Sequence, residues 1–215
     1  MLKCLRSIVK RAAIALLSVF ARFLYPRENM RGRWFEQHTI GWRWVWQSIL
    51  WQKVLGFNRH CRWPVNPFNI VGPVENISFD IDDLNNFHMF GCYFQCFDAR
   101  IVIGSGTYIA PNVGLITSNH NPMNPHEHRP GQDIIIGKSC WIGMNSVVLP
   151  GVHLGDHTVV GAGSVVTRSF PEGNCILAGA PARLIKDMAI VNAGVVGNAT
   201  AADDSASPVQ VPVIH

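Results

Sequence analysis

Aliphatic residues recur at every sixth position through the centre of this sequence. They fall at Ile103, Ile109 and Leu115, and after an interruption at Ile136, Ile142, Val148, Leu154, Val160 and Val166. Neither the 3.6-residue period of a helix nor the two-residue period of a strand places every sixth residue in one environment. A backbone wound into a three-sided prism does so, because each side takes one hexad and three hexads complete a coil. The pattern therefore predicts a mainly β protein, a parallel β-helix with an aliphatic core.

The residues around these positions agree with such a prism. Small residues follow six of the nine aliphatic positions, where a tight corner is needed: Gly104, Ala110, Gly137, Gly143, Gly155 and Gly161. Small or β-branched residues recur four positions after the aliphatic ones: Thr107, Val113, Cys140, Ser146, Val152, Thr158 and Ser164. Stacked coils then pair as parallel strands along the prism.

The remaining sequence divides into three parts. Residues 1–64 are predicted to form an N-terminal helical segment, residues 65–187 the β-helix with its C-terminal cap, and residues 188–215 a flexible tail rich in Ala, Val, Asn, Asp and Ser. Within 65–102 a weaker register predicts imperfect first coils built from strands, at Ile70, Ile77, Ile81 and Val102. Glu172 breaks the sixfold pattern, which predicts that the prism ends near Val166.

Residues 1–25 combine Lys and Arg with apolar residues near the helical period and favour a basic amphipathic helix that ends at Pro26. Its uncharged run, Ala12 to Ala21, is about half of what a bilayer span needs. A secretion signal or anchor and simple packing remain alternatives. Five of the seven tryptophans follow within 34–51, which indicates a helix packed on the domain or an aromatic belt beside a membrane.

Composition narrows the partners. The formal charge is only +4 and no Lys/Arg run interleaves with aromatics in the body of the chain, so we expect no nucleic acid partner. Of the six cysteines only Cys92 and Cys96 lie close together, which favours free buried thiols in a reducing compartment over a zinc site. We therefore expect a cytoplasmic protein, with residues 1–25 touching the inner face of the membrane.

The interruption between Leu115 and Ile136 is the candidate functional loop. An insertion into a stacked coil must leave at a corner, and loops on rigid scaffolds carry binding and catalysis. This loop holds His120, His126 and His128. Histidine suits proton abstraction at neutral pH, so His120 is a candidate general base, with a merely structural histidine as the alternative. A zinc site of the three histidines is disfavoured, and no metal is expected.

Several motifs together resemble one known family, the hexapeptide-repeat acyltransferases, in particular the galactoside, maltose and serine O-acetyltransferases. The motifs are Ile109-Ala110-Pro111-Asn112-Val113, Asn119-His120, Cys140-Trp141-Ile142-Gly143, Val148-Leu149-Pro150-Gly151-Val152, Gly161-Ala162-Gly163-Ser164-Val165-Val166-Thr167 and Ala178-Gly179-Ala180-Pro181-Ala182-Arg183. Residues 56–65 are similar to a branch found in polysaccharide and lipopolysaccharide biosynthesis. The resemblance implies a left-handed β-helix, acetyl transfer from acetyl-CoA to a sugar hydroxyl with His120 as base, and homotrimers with active sites between subunits.

The resemblance also implies residue roles. Positions implied for coenzyme A are Trp141, Gly143, Ala162, Thr167, Arg168, Arg183 and Lys186, although the last two are alternatively solvated charges. Positions considered for the acceptor are Tyr93, Asp98, Asn119 and Glu127. The chain departs from the galactoside enzymes at Met144, where they have serine, and at Tyr93-Phe94-Gln95, where they place an asparagine, so a different acceptor is expected.

Other functions remain open from the sequence. An N-acyltransferase acting on an amino sugar is the alternative enzyme, and a non-catalytic β-helix scaffold or binding subunit is the alternative of another class. A metal enzyme resembling carbonic anhydrase on the same architecture would need histidines that bridge subunits. No Gly-x-Ser-x-Gly motif occurs, which favours direct transfer in a ternary complex over a covalent acyl-enzyme.

Overall fold

The computed structural model describes residue 14 and residues 16–188. The predictions for residues 1–13 and for the tail beyond Met188 lie outside the described residues.

The N-terminal segment is helical and irregular. Helix α1 comprises residue 14 and residues 16–21 of the described chain, and α2 spans Ile40–Ser48 and continues as a π-helical stretch, Ile49–Val54. Short 3-10 helices lie at Arg27–Asn29, Val74–Asn76 and Ile81–His88. The prediction that α1 ends at Pro26 is wrong, because turns begin after residue 21. The Tyr25 hydroxyl donates to Ser48 Oγ at 2.7 Å, which holds the chain against α2 and off the helical path.

Sixteen short strands follow. They are β1 (Ile70–Val71), β2 (Ile77–Ser78), β3 (Tyr93–Gln95), β4 (Ile101–Ile103), β5 (Tyr108–Ile109), β6 (Gly114–Ile116), β7 (His120–Asn121), β8 (Asn124–His128), β9 (Ile134–Ile136), β10 (Trp141–Ile142), β11 (Val147–Val148), β12 (His153–Leu154), β13 (Val159–Val160), β14 (Val165–Val166), β15 (Cys175–Gly179) and β16 (Ala182–Asp187).

All but β7 and β8 form three sheets that are the sides of a prism. Face 1 contains β1, β3, β6, β11 and β14, face 2 contains β2, β4, β9 and β12, and face 3 contains β5, β10, β13, β15 and β16. From β3 onwards the chain visits faces 1, 2 and 3 in turn, apart from the β7–β8 excursion and an isolated bridge in place of a last face-2 strand. Every pairing within the faces is parallel except that of β15 with β16. The predicted hexapeptide β-helix is confirmed.

The register explains the sixfold beat. Trp141 of β10 pairs with Val159 of β13, 18 residues later, which is three hexads per coil. Tyr108 of β5 pairs with Trp141, 33 residues later, so the interrupted coil is longer by 15 residues. All nine predicted aliphatic residues are at most 3% exposed. The burial of this aliphatic column is the main source of the fold's stability.

Small residues are required where the coils stack at the corner between faces 2 and 3. A Cβ on Gly137 would lie 2.6 Å from the backbone nitrogen of Asp156 in the next coil, and one on Gly104 would lie 2.4 Å from the carbonyl carbon of Gly137. No real Cβ makes such contacts with backbone, so the coils could not stack at the usual strand spacing. The small residues of the hexads are thus fixed by sterics.

The two ends of the prism differ from the prediction. In the first coil the place of a face-3 strand is taken by the 3-10 helix Ile81–His88, so the strand predicted at Ile81 is wrong. Its buried Asn86 accepts from Ile109 N and donates to Thr107 O, and these bonds replace a strand ladder. The end predicted near Val166 is also wrong. Phe170 bridges to Leu154 and β15 pairs with β13, because the corners of the last coil lose a residue or two without losing the pairing.

The N-terminal segment packs on the first coil. Trp34 Nε1 donates to Asp82 O at 2.7 Å, and the Trp44 ring stacks on His88 with centroids 4.0 Å apart. The Arg33 guanidinium pairs with the buried Asp83 carboxylate at 3.3 Å. These contacts fix α2 at the N-terminal end of the prism.

Candidate active site

The loop predicted from the interruption leaves the corner between faces 1 and 2, after β6 and before β9. It forms an antiparallel hairpin of β7 and β8, in which His120 is registered with His128 and Asn121 with Asn124. The backbone ladder continues outside the strands, since Arg129 N donates to Asn119 O and Gln132 N donates to Thr117 O, both at 2.8 Å. The loop is therefore an ordered arm.

A buried glutamine holds the first end of this arm. Gln95 Oε1 accepts from Thr117 N at 2.8 Å, from Thr117 Oγ1 at 3.2 Å and from Ser118 N at 3.1 Å. Gln95 Nε2 donates to Ser118 Oγ at 3.0 Å and to Ser118 O at 3.2 Å. Thr117 and Ser118 directly precede Asn119-His120, so Gln95 sets the point from which the histidine projects.

Two carboxylates hold the other end. Asp98 Oδ2 accepts from Gly131 N at 2.8 Å, and Asp133 Oδ2 accepts from the Arg100 guanidinium at 2.6 Å. The bond from Arg100 holds the pKa of the Asp133 carboxyl below its usual range. Both Asp98 and Arg100 follow β3 in the preceding coil. The arm is thus anchored to the coil before it at both ends.

His120 has a defined tautomer. Its Nδ1 lies 2.7 Å from Pro125 O. A carbonyl oxygen only accepts, so the proton of this bond is on Nδ1, and in the neutral ring the lone pair is on Nε2. The side chain is exposed on the arm. Histidine bonding to backbone and histidine as a base were alternatives in the sequence, yet here one ring nitrogen bonds to backbone and leaves the other available as a base.

The neighbouring histidines frame this ring. The His128 ring lies across the hairpin from His120, with centroids 4.2 Å apart and planes tilted by 37°. His126 is exposed and its backbone nitrogen donates to Asn124 Oδ1. Over residues 14 and 16–188, no group of three or more His, Cys, Asp or Glu residues is arranged to hold a metal ion.

The positions considered for the acceptor lie around the arm, with different environments. Asn119 and Glu127 are exposed on the arm itself, where Glu127 Oε2 accepts from Asn121 Nδ2 at 3.4 Å. Asp98 already accepts a bond from Gly131, so its first role is to anchor the arm. Tyr93 is half-buried on face 1. The structure thus gathers Asp98, Asn119 and Glu127 around one arm.

The positions implied for coenzyme A do not form one cluster within a single chain. Thr167 and Arg168 lie at the corner between faces 1 and 2, as the arm does, two coils further along. Trp141 is exposed on face 3, and the exposed Arg183 and Lys186 lie on β16 at the edge of that face. Gly143 and Ala162 are found at the corner between faces 3 and 1. The corner that carries His120 does not border face 3.

Cysteine is a poor candidate nucleophile here. The five described cysteines, Cys61, Cys92, Cys96, Cys140 and Cys175, are buried. Burial raises the pKa of each thiol, to about 12 for Cys61 and about 11 for Cys96. A thiol reacts as the thiolate, so these side chains are held in the unreactive form.

Gln95 is the functional candidate that sequence reasoning passed over. It was noted only as part of a segment that departs from the galactoside enzymes. The available signal was a long amide beside the inward-facing Phe94, at the corner beneath the insertion. A buried amide there must bond to something, and the loop ends are the nearest unpaired backbone.

Comparison with known proteins agrees with the repeat. Residues 133–168 match the sequence model of the family described as bacterial transferase hexapeptide (six repeats). The galactoside O-acetyltransferase of Escherichia coli K12 is 40% identical over 95 residues, which are 42% of this chain and 46% of that protein. WbbJ of the same strain, provisionally named a lipopolysaccharide biosynthesis O-acetyl transferase, is 39% identical over 98 residues, 40% of this chain and 50% of that protein.

A solved structure adds little. A maltose O-acetyltransferase from Clostridium difficile 630 is 31% identical, with 56% of this chain and 66% of that chain covered, but the TM-score is 0.42, so the fold rests on the strand register above. The chain spans about half the length of the curated relatives named here. The resemblance to the hexapeptide-repeat acyltransferases is confirmed.

Proposed function

We propose that this chain is an O-acetyltransferase that moves an acetyl group from acetyl-CoA to a sugar hydroxyl, in the biosynthesis of a surface polysaccharide or lipopolysaccharide. The observation that carries the proposal is the geometry of His120: the bond from Nδ1 to Pro125 O directs the basic Nε2 away from the hairpin backbone. The arm that presents it interrupts a repeat shared with acetyltransferases. The names of the relatives support a glycan as acceptor.

In the proposed reaction the neutral His120 takes the proton of the acceptor hydroxyl on Nε2. The acceptor oxygen then bonds to the acetyl carbonyl carbon, the carbon–sulfur bond breaks, and the proton returns from Nε2 to the sulfur. Acetyl-CoA supplies the activated thioester. The bond to Pro125 stabilises the imidazolium that forms transiently, because Nδ1 remains a donor throughout. No thiol of the described chain has the ionisation needed to carry the acetyl group itself.

The residues proposed for coenzyme A fit its chemistry. Arg183 and Lys186 are exposed cations on β16, suited to phosphates. Trp141 offers an exposed aromatic surface on face 3. At Gly143 the lack of a side chain lets backbone pass close by, since a Cβ there would lie 2.6 Å from Ala162 N.

The active site is proposed to be shared between copies of the chain. His120 is at the corner opposite face 3, whereas Trp141, Arg183 and Lys186 lie on that face. A second copy packed alongside would bring its face 3 to the arm of the first. This geometry supports a homotrimer, in which three such contacts close a ring.

The protein is proposed to work at the cytoplasmic face of the inner membrane, with lipid contact through residues 1–25. The exposed Leu16, Phe20 and Phe23 in the described part of that segment support the contact. None of the described helices is both long enough and apolar enough to cross a bilayer.

The base is tested by His120→Ala in the full chain, with acetyl-CoA and candidate nucleotide sugars or oligosaccharides as substrates. We expect kcat to fall by about 10²–10⁴. His126→Ala is the matched control, because it removes an exposed histidine from the same arm, and it should keep most of the activity. NMR of the product distinguishes an ester from an amide, and an amide would favour the N-acyltransferase. Full activity in folded His120→Ala would refute the mechanism.

The shared site is tested by mixing two inactive variants, His120→Ala and Trp141→Ala, in one assembly. If the two residues act from different copies, random mixing restores about a quarter of the wild-type sites. Mixed assemblies that form but regain no activity would refute the sharing.

A further inference from the structure

The helices at the N-terminal end of the prism turn apolar side chains to the outside. In α1, Leu16 is 77% and Phe23 84% exposed, and Val19 and Phe20 are more than half exposed. Continuous apolar surface of this kind on a protein marks a partner or a membrane.

The second helix shows the same feature more sharply. On α2 and its π-helical continuation, Trp46 is 67%, Leu50 52% and Val54 63% exposed, at the spacing that aligns residues on one helix face. The buried face carries polar residues instead, since Ser48 and Gln52 are at most 2% exposed. An inverted pattern, polar inside and apolar outside, is expected where the outer medium is itself apolar.

The polar residues inside are fully engaged. Gln52 Nε2 donates to Cys61 O at 3.0 Å and to Trp63 O at 3.1 Å, and Gln52 Oε1 accepts from the Tyr25 hydroxyl at 2.9 Å. These bonds fix which face of α2 points inwards. The exposure of Trp46 and Leu50 is thus imposed by the fold.

The two apolar faces belong to one surface. A groove of about 770 Å³ runs between α1 and α2 and is lined by Leu16, Leu17, Phe20, Trp42 and Trp46, with Ile14, Thr39 and the exposed Arg43 completing it. We call the surface formed by α1, α2 and the π-helical stretch the helical platform.

The charge of the chain is concentrated in the same segment. Residues 1–64 contain twelve Lys and Arg and two Glu, a net charge of +10, whereas the remaining residues contain six Lys and Arg and twelve Asp and Glu, a net charge of −6. Arg22 and Arg43 are exposed on the helical platform. Apolar and aromatic side chains flanked by cations match the headgroup region of an anionic bilayer, and each cation near such a surface adds to binding.

We infer that the helical platform docks on an anionic lipid bilayer through Trp46 and Leu50 as well as through α1. The inference rests on the proposed function in one respect, since it extends the lipid contact proposed for residues 1–25 to a second helix. It also narrows the acceptor to a glycan held at a membrane. The arm with His120 is on the third coil, about 10 Å along the prism from the first coil that carries the platform. That distance suits a sugar joined to a lipid headgroup.

The test uses the full chain and vesicles of phosphatidylcholine, with and without phosphatidylglycerol, in a flotation assay. We expect the wild type to float with the anionic vesicles and to lose most of this binding without phosphatidylglycerol. Trp46→Ser/Leu50→Ser should weaken binding about tenfold or more. The matched control is Ile70→Ser/Phe97→Ser, which removes two apolar side chains of similar exposure, 63% and 59%, from outside the platform, and should bind as the wild type does.

Each other outcome overturns the inference. Unchanged binding by Trp46→Ser/Leu50→Ser would restrict the contact to residues 1–25. A change in the mass of the assembly in that variant, measured by light scattering without vesicles, would assign the platform to a contact between copies. Absence of vesicle binding in the wild type would exclude lipid. Acetyl transfer to a water-soluble acceptor is measured in the same variants, and since they lie outside the proposed active site, its loss in the wild type would count against the function alone.

Discussion

Gln95→Leu is expected to damage catalysis beyond its effect on stability. Leucine keeps most of the volume but removes all five side-chain bonds to Thr117 and Ser118. Thr117 N still donates to the backbone oxygen of Gln95, whereas Ser118 N loses its only acceptor among the described residues. An unpaired buried amide costs about 1–3 kcal/mol, and each lost bond adds a further fraction. The free energy of unfolding should fall by roughly 2–4 kcal/mol.

The catalytic effect follows from the position of these bonds. Thr117 and Ser118 precede Asn119-His120, so a loosened anchor shifts the imidazole relative to the acceptor. A displacement of about 1 Å costs on the order of 100-fold in rate. We expect kcat to fall by that order in Gln95→Leu, with little change in the KM for acetyl-CoA, since the positions implied for the cofactor lie elsewhere.

The control is a variant that is equally destabilised but does not touch the arm. Leu154 is fully buried on face 2, and Leu154→Ala should cost about 2–5 kcal/mol. Denaturant unfolding gives the stability of both variants, and initial rates of CoA release well below the melting temperature give kcat and KM. If Leu154→Ala loses as much kcat as Gln95→Leu, the role of Gln95 in positioning His120 is refuted.

Two further predictions concern stability. Gly137→Ala should destabilise by several kcal/mol and lower Tm clearly, because its Cβ would lie 2.6 Å from Asp156 N, whereas Gly163→Ala meets nothing within 4 Å and should cost only about 1–2 kcal/mol for its left-handed backbone; equal melting temperatures would contradict the stacking argument. Burial lowers the pKa of His88 to about 3, so the unfolded chain binds its proton below pH 6.5 while the folded one does not; the contribution is present above pH 6.5 and falls by up to about 1.4 kcal/mol per pH unit towards pH 3. His88→Phe keeps a ring against Trp44 and should lose this pH dependence, which urea unfolding between pH 7 and 4 would reveal; identical pH profiles for the two proteins would contradict it.

Where local rules decided the outcome, the sequence was sufficient. The nine aliphatic positions are all in the core, because a six-residue repeat leaves the backbone only one way to bury them together. The loop at His120 followed from the same logic, since an insertion cannot stay inside a stacked coil. The irregular first coil was harder. Ile81 looks like a strand residue, but the Asn86 side chain bonds to the next coil and lets a 3-10 helix cap the prism.

The sequence by itself determined the prism, its core and the corner from which His120 projects, because a repeat is a local rule that each coil obeys in turn. Only the tertiary structure decided which nitrogen of His120 is free, that Gln95 anchors the arm, and that α2 turns Trp46 outwards. These depend on contacts between residues far apart in the chain, such as Gln95 with Ser118 and Tyr25 with Gln52. No periodicity encodes such contacts, so they become visible only when the coils and helices are packed together.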